Sequence, residues 1–379
     1  MSERLAAVVV EDIETAVPPH TYSQGVALEI CEKVLATDPE ALAFMRRLLP
    51  TTGIEKRHSV VPDYLCPPQD RILLPPTPDF RPEPSTAARG RIFAAQAPVL
   101  ATKVAERLLA RADRGRKITH LLTASCTGMQ APGLDVALMR SLGLAPDVER
   151  VHVGFMGCFA GFSTLKLAHA ICRADPDARV LVVHVELCSL HVHFGPDRDE
   201  LVASALFADG ASAALISAAR NETPAPGQLR LGPATSFVVP DSEHEMGWRI
   251  GDDGYHMSLS PRVPYLLRRH LPGVFGHLID RAQLARADIR HYAVHPGGPS
   301  ILAKAREALQ LDDDDLSAST EVLRNYGNMS SATLWFVLDR VRRRTEPGWV
   351  FACGFGPGLS VEAALLAIDP CAPWPVRAA

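Results

Sequence analysis

Short apolar runs alternate with longer stretches of helical periodicity in the first half of the chain. Residues 117–125 predict a buried strand, and a second strand is expected at 151–155. Residues 178–186 are rich in β-branched side chains and predict a strand buried on both faces. Helical patterns at 134–142 and 159–172 separate these strands. The order β-α-β-α-β is typical of layered α/β domains, and we expect largely parallel sheets.

A second series of the same kind begins after about residue 220. It comprises predicted strands at 289–295, 349–354 and 359–368 and predicted helices at 264–282, 299–309, 316–325 and 330–344. No sequence identity between the two series is visible, so element order alone indicates a duplication. We therefore expect two halves, residues 1–220 and 221–379.

Composition and charge exclude several classes of protein. The 39 basic and 43 acidic residues give a net charge of −4, so no strong field attracts nucleic acid or an anionic membrane surface. The eight cysteines are scattered without a CxxC pair, as expected in a reducing compartment. The N-terminal apolar stretch is too short for a signal peptide, and no apolar run of about 18 residues is present. We expect a cytoplasmic protein that does not insert into membranes.

A strand-turn-helix junction contains the first candidate for chemistry. In VGFMGCFAGFSTLKLA, Cys158 follows a strand and Gly157 and precedes an apolar-periodic helix. The dipole and free N–H groups of a helix N-terminus stabilise a thiolate, so we expect a lowered pKa for this thiol. A buried core cysteine is the alternative interpretation.

Two further polar side chains are expected at similar junctions. His295 ends a predicted strand and precedes a Pro-Gly-Gly-Pro turn, and Asn328 lies at the start of an amphipathic helix. Taken singly, a structural histidine and a helix cap are the alternatives. Together, Cys158, His295 and Asn328 supply a nucleophile, a base and an amide donor.

Two chemistries use such a set. A papain-like cysteine hydrolase has its histidine about 130–150 residues after the nucleophile, and the spacing here falls in that range, but the CGSCW signature is absent. In thioester chemistry, the thiolate takes an acyl group from coenzyme A. Histidine and asparagine then donate hydrogen bonds to the oxygen that becomes negative when a malonyl thioester loses carbon dioxide. The residues favour the second chemistry.

Six motifs resemble those of type III polyketide synthases, the chalcone and stilbene synthase family. In chain order they are APGLD at 131–135, GCFAGF at 157–162, LFADGA at 206–211, HPGGPSIL at 295–302, YGNMSSA at 326–332 and GFGPGLSVE at 354–362. A weaker match, GIEKRH at 53–58, extends the resemblance over about residues 50–368. It implies an α/β thiolase fold, in which two duplicated βαβαβ halves form a layered α-β-α-β-α core. It also implies a homodimer with a buried cavity, and no cofactor or metal beyond the coenzyme A thioester substrates.

The resemblance also implies roles by position. Cys158 is the expected acyl-carrying nucleophile, and His295 and Asn328 are the expected decarboxylation and oxyanion residues. Further substrate-binding positions, among them the gatekeeping phenylalanine, are Phe207, Cys126, Thr127, Ala131, Cys188, His191, Met257 and Ser330. Coenzyme A contacts are expected at Lys56, Gly297 and Ser300. A metal site at Cys188, His191 and His193 is not expected, because zinc takes three or four ligands and no fourth is evident.

The implied activity is an acyltransferase reaction. The enzyme would load an acyl-CoA starter on Cys158, extend it by iterative decarboxylative condensation with malonyl-CoA and cyclise the chain. Several cavity positions differ from plant members, which indicates an acyl or alkyl starter and an alkylpyrone or resorcinol-type product. A single-round condensing enzyme of the ketoacyl synthase III type is the alternative. An inactive scaffold and a papain-like hydrolase are more remote.

Overall fold

The computed structural model describes residues 7–113, 115–219, 227–344 and 346–368. The strands are β1 Val8–Ala16, β2 His20–Ser23, β3 Lys56–Ser59, β4 His120–Ser125, β5 Glu149–Gly154, β6 Arg179–Leu187, β7 Asp209–Ala218, β8 Leu229–Val238, β9 Met246–Gly251, β10 Gly254–Leu259, β11 Ile289–Val294, β12 Gly348–Gly356 and β13 Ser360–Ile368. The helices are α1 Gln24–Val34, α2 Pro39–Leu48, α3 Thr86–Arg111, α4 Leu134–Ser141, α5 Ala160–Ala174, α6 Arg198–Leu206, α7 Val263–Arg281, α8 Pro299–Leu309, α9 Ser317–Tyr326 and α10 Thr333–Val341. Each of these helices is too short or too polar to cross a bilayer.

One mixed sheet organises the chain, in the order β11-β12-β13-β8-β1-β7-β6-β4-β5. Three neighbouring pairs are parallel, namely β11 with β12, β4 with β5 and β4 with β6. The other five pairs are antiparallel, so the expectation of largely parallel sheets is wrong. The cause is partly local, because a tight turn such as that between β12 and β13 joins only antiparallel strands.

Alternate residues of the central strands face two different layers of helices. On β6, Val180 and Val182 pack with α5 and α10, whereas Leu181 and Val183 pack with α3 and α4. In the other half of the sheet, β12 and β13 pack one face on α5 and α10 and the other on α7 and α8. The result is the predicted α-β-α-β-α layering, with α5 and α10 at the centre.

The predicted elements between residues 117 and 186 are all present, with ends shifted by a few residues. The strand expected at 178–186 is β6, and all nine of its residues are buried, as predicted. The helix expected at 330–344 instead begins as a single 3-10 turn at Ser330–Ala332, and α10 follows. The sequence analysis did not identify β1, β7 and β8, which form the middle of the sheet.

Candidate active site

The turn that carries Cys158 is built from left-handed backbone. Phe155 has φ 58° and Gly157 has φ 80°, and Cys158 follows directly, two residues before α5 begins. A Cβ atom on Gly157 would lie 2.5 Å from Cδ of Pro357, so only glycine fits here. The turn is thus packed against Pro357 of the GFGPG segment, which comprises the end of β12 and the start of the turn to β13.

Two glycines of the GFGPG segment leave equally little room for a side chain. A Cβ on Gly354 would lie 2.7 Å from the Phe162 ring and 3.4 Å from Cβ of His295. A Cβ on Gly356 would collide with the ring of Phe159. The segment therefore packs on both the cysteine turn and the histidine strand, and it holds them in a fixed relation.

His295 lies at the carboxyl end of β11, where active-site residues of α/β sheets gather. Its backbone N–H donates to the carbonyl of Cys353 at 2.8 Å. The side chain is 1% exposed, and neither ring nitrogen has a hydrogen-bond partner among the described residues. Burial lowers the pKa of His295 to about 4, so the imidazole is neutral at pH 7.

Asn328 connects the three elements of the site. Its backbone N–H donates to the carbonyl of Leu206, and its carbonyl accepts from the N–H of Ala208, both at 2.9 Å, beside Phe207. Its Nδ2 donates to the carbonyl of Gly297 at 3.3 Å, and its Oδ1 accepts from the N–H of Ser330 at 2.9 Å. The amide is thereby oriented by the histidine turn and by its own loop.

The Cys158 thiol is within hydrogen-bond reach of the Ser330 and Asn328 side chains. Burial raises the pKa of Cys158 to about 11, and the nearby Glu186 carboxyl adds to the rise, while the two hydrogen bonds oppose it. The expectation of a lowered pKa is therefore wrong, because desolvation of the thiolate outweighs the helix terminus. The free protein holds a neutral thiol and a neutral imidazole.

A cavity of about 640 Å³, counting its open mouth, extends from Cys158. Eight of the predicted residues line it, namely Cys126, Thr127, Cys158, Cys188, His191, Phe207, Met257 and Ser330. One open cavity therefore joins a buried thiol to positions expected to bind substrate.

Comparisons with known proteins match both halves of the chain. The model of the chalcone and stilbene synthase N-terminal domain matches residues 2–220, and that of the C-terminal domain matches residues 230–369. The chain belongs to the chalcone and stilbene synthase family. It is therefore related to type III polyketide synthases, whose reaction is acyl transfer from coenzyme A thioesters.

Similar members of the family come from several organisms. The chain is 32% identical to a 1,3,6,8-tetrahydroxynaphthalene synthase of Streptomyces peucetius subsp. caesius over 93% of this chain and 91% of the relative. It is 36% identical to the alpha-pyrone synthesis polyketide synthase-like Pks18 of Mycobacterium tuberculosis, over 76% and 75%. The crystal structure of PKS-I from the brown alga Ectocarpus siliculosus superposes with a TM-score of 0.88 at 28% identity, over 97% and 100% of the two chains. These likenesses confirm the predicted thiolase fold and the expected enzyme class.

One wall of this chalcone synthase-like cavity, the ring wall, contains three rings that the sequence analysis only partly identified. His191 and Tyr255 stack with ring centroids 4.0 Å apart, and Trp248 meets each of them edge-on at 5.9 Å. The Trp248 Nε1 donates to the carbonyl of Cys126 at 2.8 Å. Trp248 and Tyr255 therefore lie beside the predicted residues His191 and Cys126.

The two missed aromatic residues lie on a hairpin that was not predicted. Met246 and Trp248 on β9, and Tyr255 and Met257 on β10, all line the cavity at alternate positions. This spacing of two is the signal that was available in the sequence. Within 246–257, however, glycines and charged residues interrupt the apolar pattern.

His191 makes its hydrogen bonds to backbone groups and not to the other candidate metal ligands, Cys188 and His193. Its Nε2 bonds to the carbonyl of Thr127 at 2.8 Å, and its Nδ1 accepts from the N–H of Tyr255 at 3.1 Å. Burial lowers the pKa of His191 to about 3. His193, two residues on, bonds through Nδ1 to Glu83 at 2.7 Å. Both ring nitrogens of His191 are thus engaged in hydrogen bonds to backbone groups.

Six predicted residues do not belong to the lining of the cavity, namely His295, Asn328, Gly297, Ala131, Lys56 and Ser300. Ala131, Lys56 and Ser300 are exposed, on the segment before α4, at the start of β3 and in the first turn of α8 respectively. Gly297 contributes its carbonyl to Asn328, as described above. The coenzyme A contacts at Lys56, Gly297 and Ser300 remain predictions.

Proposed function

We propose that the protein is an iterative type III polyketide synthase that loads an acyl group from an acyl-CoA on Cys158 and extends it with malonyl-CoA. The observation that carries this proposal is the arrangement of Cys158, His295 and Asn328. Asn328 lies beside the Cys158 thiol, which lines a largely apolar cavity, and it donates to the turn after His295. These contacts support the joint action of a nucleophile, a base and an amide donor on one substrate carbonyl.

Loading of the enzyme begins with a neutral Cys158 thiol and a neutral His295 imidazole. The proton of the Cys158 thiol passes to the unpaired imidazole of His295, and the thiolate attacks the thioester carbonyl of the acyl-CoA. The carbon–sulfur bond to coenzyme A breaks, and the leaving thiolate takes the proton back from His295. The products are acyl-Cys158 and free coenzyme A, and the imidazole is neutral again.

Decarboxylation uses the same two donors. With malonyl-CoA bound, the N–H of neutral His295 and the Nδ2 of Asn328 donate to the thioester oxygen. The bond to the carboxylate breaks, carbon dioxide leaves, and the electron pair forms an enolate whose oxygen is stabilised by these donors. The low pKa of His295, about 4, suits this role because the ring stays a neutral donor at pH 7.

Condensation then joins the two parts. The enolate carbon attacks the carbonyl of acyl-Cys158, the carbon–sulfur bond breaks and the Cys158 thiolate leaves. A β-ketoacyl-CoA results and is returned to Cys158 for another round. Chain growth and ring closure are decided by the space beyond Cys158, which Phe207, Cys126, Thr127, Cys188, His191, Met257 and Ser330 line.

The starter and the remaining partners belong to the same proposal. The cavity lining is largely apolar, which supports an acyl or alkyl starter and an alkylpyrone or resorcinol-type product. We further propose a cytoplasmic homodimer in which Ala131 faces the neighbouring subunit, and coenzyme A contacts at Lys56, Gly297 and Ser300. No cofactor or metal takes part in the steps above.

Product analysis tests this function. Wild type and Cys158→Ser are incubated with acyl-CoAs of different lengths, aromatic acyl-CoAs and malonyl-CoA, and the products are identified by mass spectrometry. We expect multiply extended pyrones or resorcinols from aliphatic starters with wild type only. Products with one extension would identify a single-round condensing enzyme, and free acids alone would identify a hydrolase. Turnover of small aromatic starters alone would contradict the aliphatic starter.

A further inference from the structure

Two walls of the Cys158 cavity come from different parts of the chain. The helix α6 contributes Ala203 and Ser204, and the β9–β10 hairpin contributes Trp248 and Tyr255 of the ring wall together with Met257. The hairpin is a two-stranded sheet of its own, outside the nine-stranded sheet. Its distance from α6, which helps to set the width of the cavity, is therefore not fixed by the main sheet.

Side chains on the first turn of α6 tie these two walls together. The Asp199 Oδ2 accepts from the backbone N–H of Leu259 on β10 at 2.9 Å. The Glu200 Oε1 lies 2.5 Å from Nδ1 of His256, which stands between two lining residues of β10. The Nε2 of His256 lies 2.9 Å from Oδ1 of Asp253, in the turn of the hairpin. His256 therefore links α6 to two points of the hairpin.

The two contacts of His256 depend on its charge. Ionised carboxylates only accept hydrogen bonds, so a neutral imidazole satisfies one of them, whereas an imidazolium donates to both. Partial burial lowers the pKa of His256, but the bonds to Glu200 and Asp253 outweigh this effect and raise the pKa above its ordinary value of 6.5. The tie is complete in the charged form, and one of its two hydrogen bonds is lost as the pH rises through the pKa.

The charged and titratable groups around His256 come from each element packed against it. They are Glu200 of α6, Asp253 of the hairpin turn, Arg249 opposite on β9, His193 after β6, Arg89 of α3 and Glu83 before α3. Glu83 pairs with Arg89 at 3.4 Å and with His193 at 2.7 Å. Its charge is thus compensated locally, and His256 is the group that holds Glu200 and Asp253 by direct contact.

His193 connects His256 to the cavity. The two rings stack with centroids 4.3 Å apart and planes at 19°, and His193 lines the cavity. Because the rings are nearly parallel, their nitrogen lone pairs do not converge on one point, so these histidines and Asp253 do not favour a metal ion. A shift of His256 instead reaches the cavity lining through the stack.

We propose that the charged form of His256 is a positioning residue that holds α6 and the β9–β10 hairpin together and thereby limits the number of extension rounds. Without the proton, Glu200 and Asp253 face a ring that donates to only one of them, and the two walls move apart. A wider cavity accommodates a longer chain before ring closure. The inference rests on the proposed iterative extension on Cys158 and names a residue that sets the length of its product.

The number of malonyl units in each product tests this role, because it does not depend on how the chain cyclises. Products from hexanoyl-CoA and malonyl-CoA are identified by mass spectrometry between pH 6 and 9. For wild type, we expect the ratio of longer to shorter products to rise at least about three-fold over this range, as one charge-assisted hydrogen bond is lost.

Two variants separate the charge of His256 from its shape. His256→Gln removes the charge and should show the high-pH ratio at every pH. His256→Arg keeps a charge and two or more donors at every pH, so it should hold the low-pH ratio up to pH 9. His277→Gln, at an exposed position on α7, serves as control and should follow wild type.

Equal ratios for folded His256→Gln and His256→Arg enzymes, or a wild-type ratio that does not change with pH, would overturn the inference and leave the proposed function standing. A wild-type enzyme that makes no multiply extended product at any pH would instead contradict the proposed function. Malonyl-CoA decarboxylation is measured in the same samples and should stay within about two-fold of wild type in both variants. A matching fall in decarboxylation would contradict a role confined to the cavity walls.

NMR of protein with ¹⁵N-labelled histidine gives a second test that needs no active variant. The resonances of His256 are assigned by their absence from the spectrum of His256→Gln. We expect both ring nitrogens to be protonated at pH 6 and the titration midpoint to lie above 6.5. A midpoint below 6.5 would overturn the inference, because the charged tie would then be absent at neutral pH.

Discussion

The groups proposed to react and the ring wall of the Cys158 cavity are held in different ways. Cys158, His295 and Asn328 lie in turns fixed by glycine contacts and backbone hydrogen bonds. His191, Trp248 and Tyr255, which form the ring wall, are placed by ring packing and by side-chain hydrogen bonds to backbone groups. Backbone geometry tolerates few substitutions, whereas packed side chains can be exchanged at moderate cost. We therefore expect the turns to govern the chemistry and the ring wall to govern the shape of the product.

The largest effect is expected from removal of the Cys158 thiol. Cys158→Ala should lower product formation by at least about 10³-fold, because no acyl-enzyme can form. Cys158→Gln should also form no product but should still decarboxylate malonyl-CoA, because its amide imitates the acylated thiol. Product and carbon dioxide release are measured in parallel. Cys172→Ala, which removes another buried thiol from the core, serves as control. Undiminished product formation by either Cys158 variant would overturn the assignment.

His295→Leu should separate activity from stability. Decarboxylation is expected to fall about 10²–10³-fold with the loss of one oxyanion donor. The midpoint of thermal unfolding should stay the same or rise, because the ring nitrogens of His295 have no partners to lose. His291→Leu, on the same strand, removes a bond to the carbonyl of Glu346 and should do the reverse. A large drop in the unfolding midpoint of His295→Leu alone would show that the ring supports the fold.

A change at the ring wall should alter the products more than the rate of decarboxylation. Trp248→Gly removes one of the three rings and its bond to Cys126, and we expect a shift towards products with more extension rounds. Malonyl-CoA decarboxylation should stay within about three-fold of wild type, since no reacting group is touched. Ile250→Gly makes a similar change on the same strand at an exposed position. An unchanged product distribution for Trp248→Gly would contradict a role of the ring wall in shaping the product.

The smallest expected effect is on acid stability. Burial lowers the pKa values of His184, His191 and His295 to about 3, 3 and 4, from an ordinary value of 6.5. Between pH 6.5 and 4 the unfolded chain binds more protons than the folded protein, so stability falls as the pH falls. His295→Leu should lessen this fall by a few degrees in the thermal midpoint between pH 7 and 5. Parallel curves for wild type and variant would contradict a buried, neutral His295.

The sequence predicted the fold to the extent that its elements are local. The strand at 178–186 was identifiable because burial on both faces requires a continuous apolar run, and β6 confirms it. Strand direction was predicted wrongly, because pairing of β1 with β7 and β8 depends on residues far apart in the chain. Nothing in the apolar pattern of a single strand specifies its neighbours.

The residues of the site also divide into those that the local sequence marks and those that it does not. Glycine-bounded turns mark Cys158, His295 and Asn328 in the sequence, and the structure brings the Asn328 amide within hydrogen-bond distance of the carbonyl of Gly297 in the turn after His295. Trp248 and Tyr255 were missed, since a hairpin with an interrupted apolar pattern carries them. The raised pKa of Cys158 was also missed, because burial in the fold and the charge of Glu186, which lies on a distant segment, are not visible in the local sequence.

Covalent loading of Cys158 tests the central claim most directly. Wild type, Cys158→Ser and Cys172→Ala are exposed to a panel of acyl-CoAs, and the intact masses and modified peptides are determined. The account predicts an acyl thioester on Cys158 in wild type and in Cys172→Ala, and no thioester in Cys158→Ser. An acyl adduct on another cysteine, or no adduct with any acyl-CoA, would contradict it.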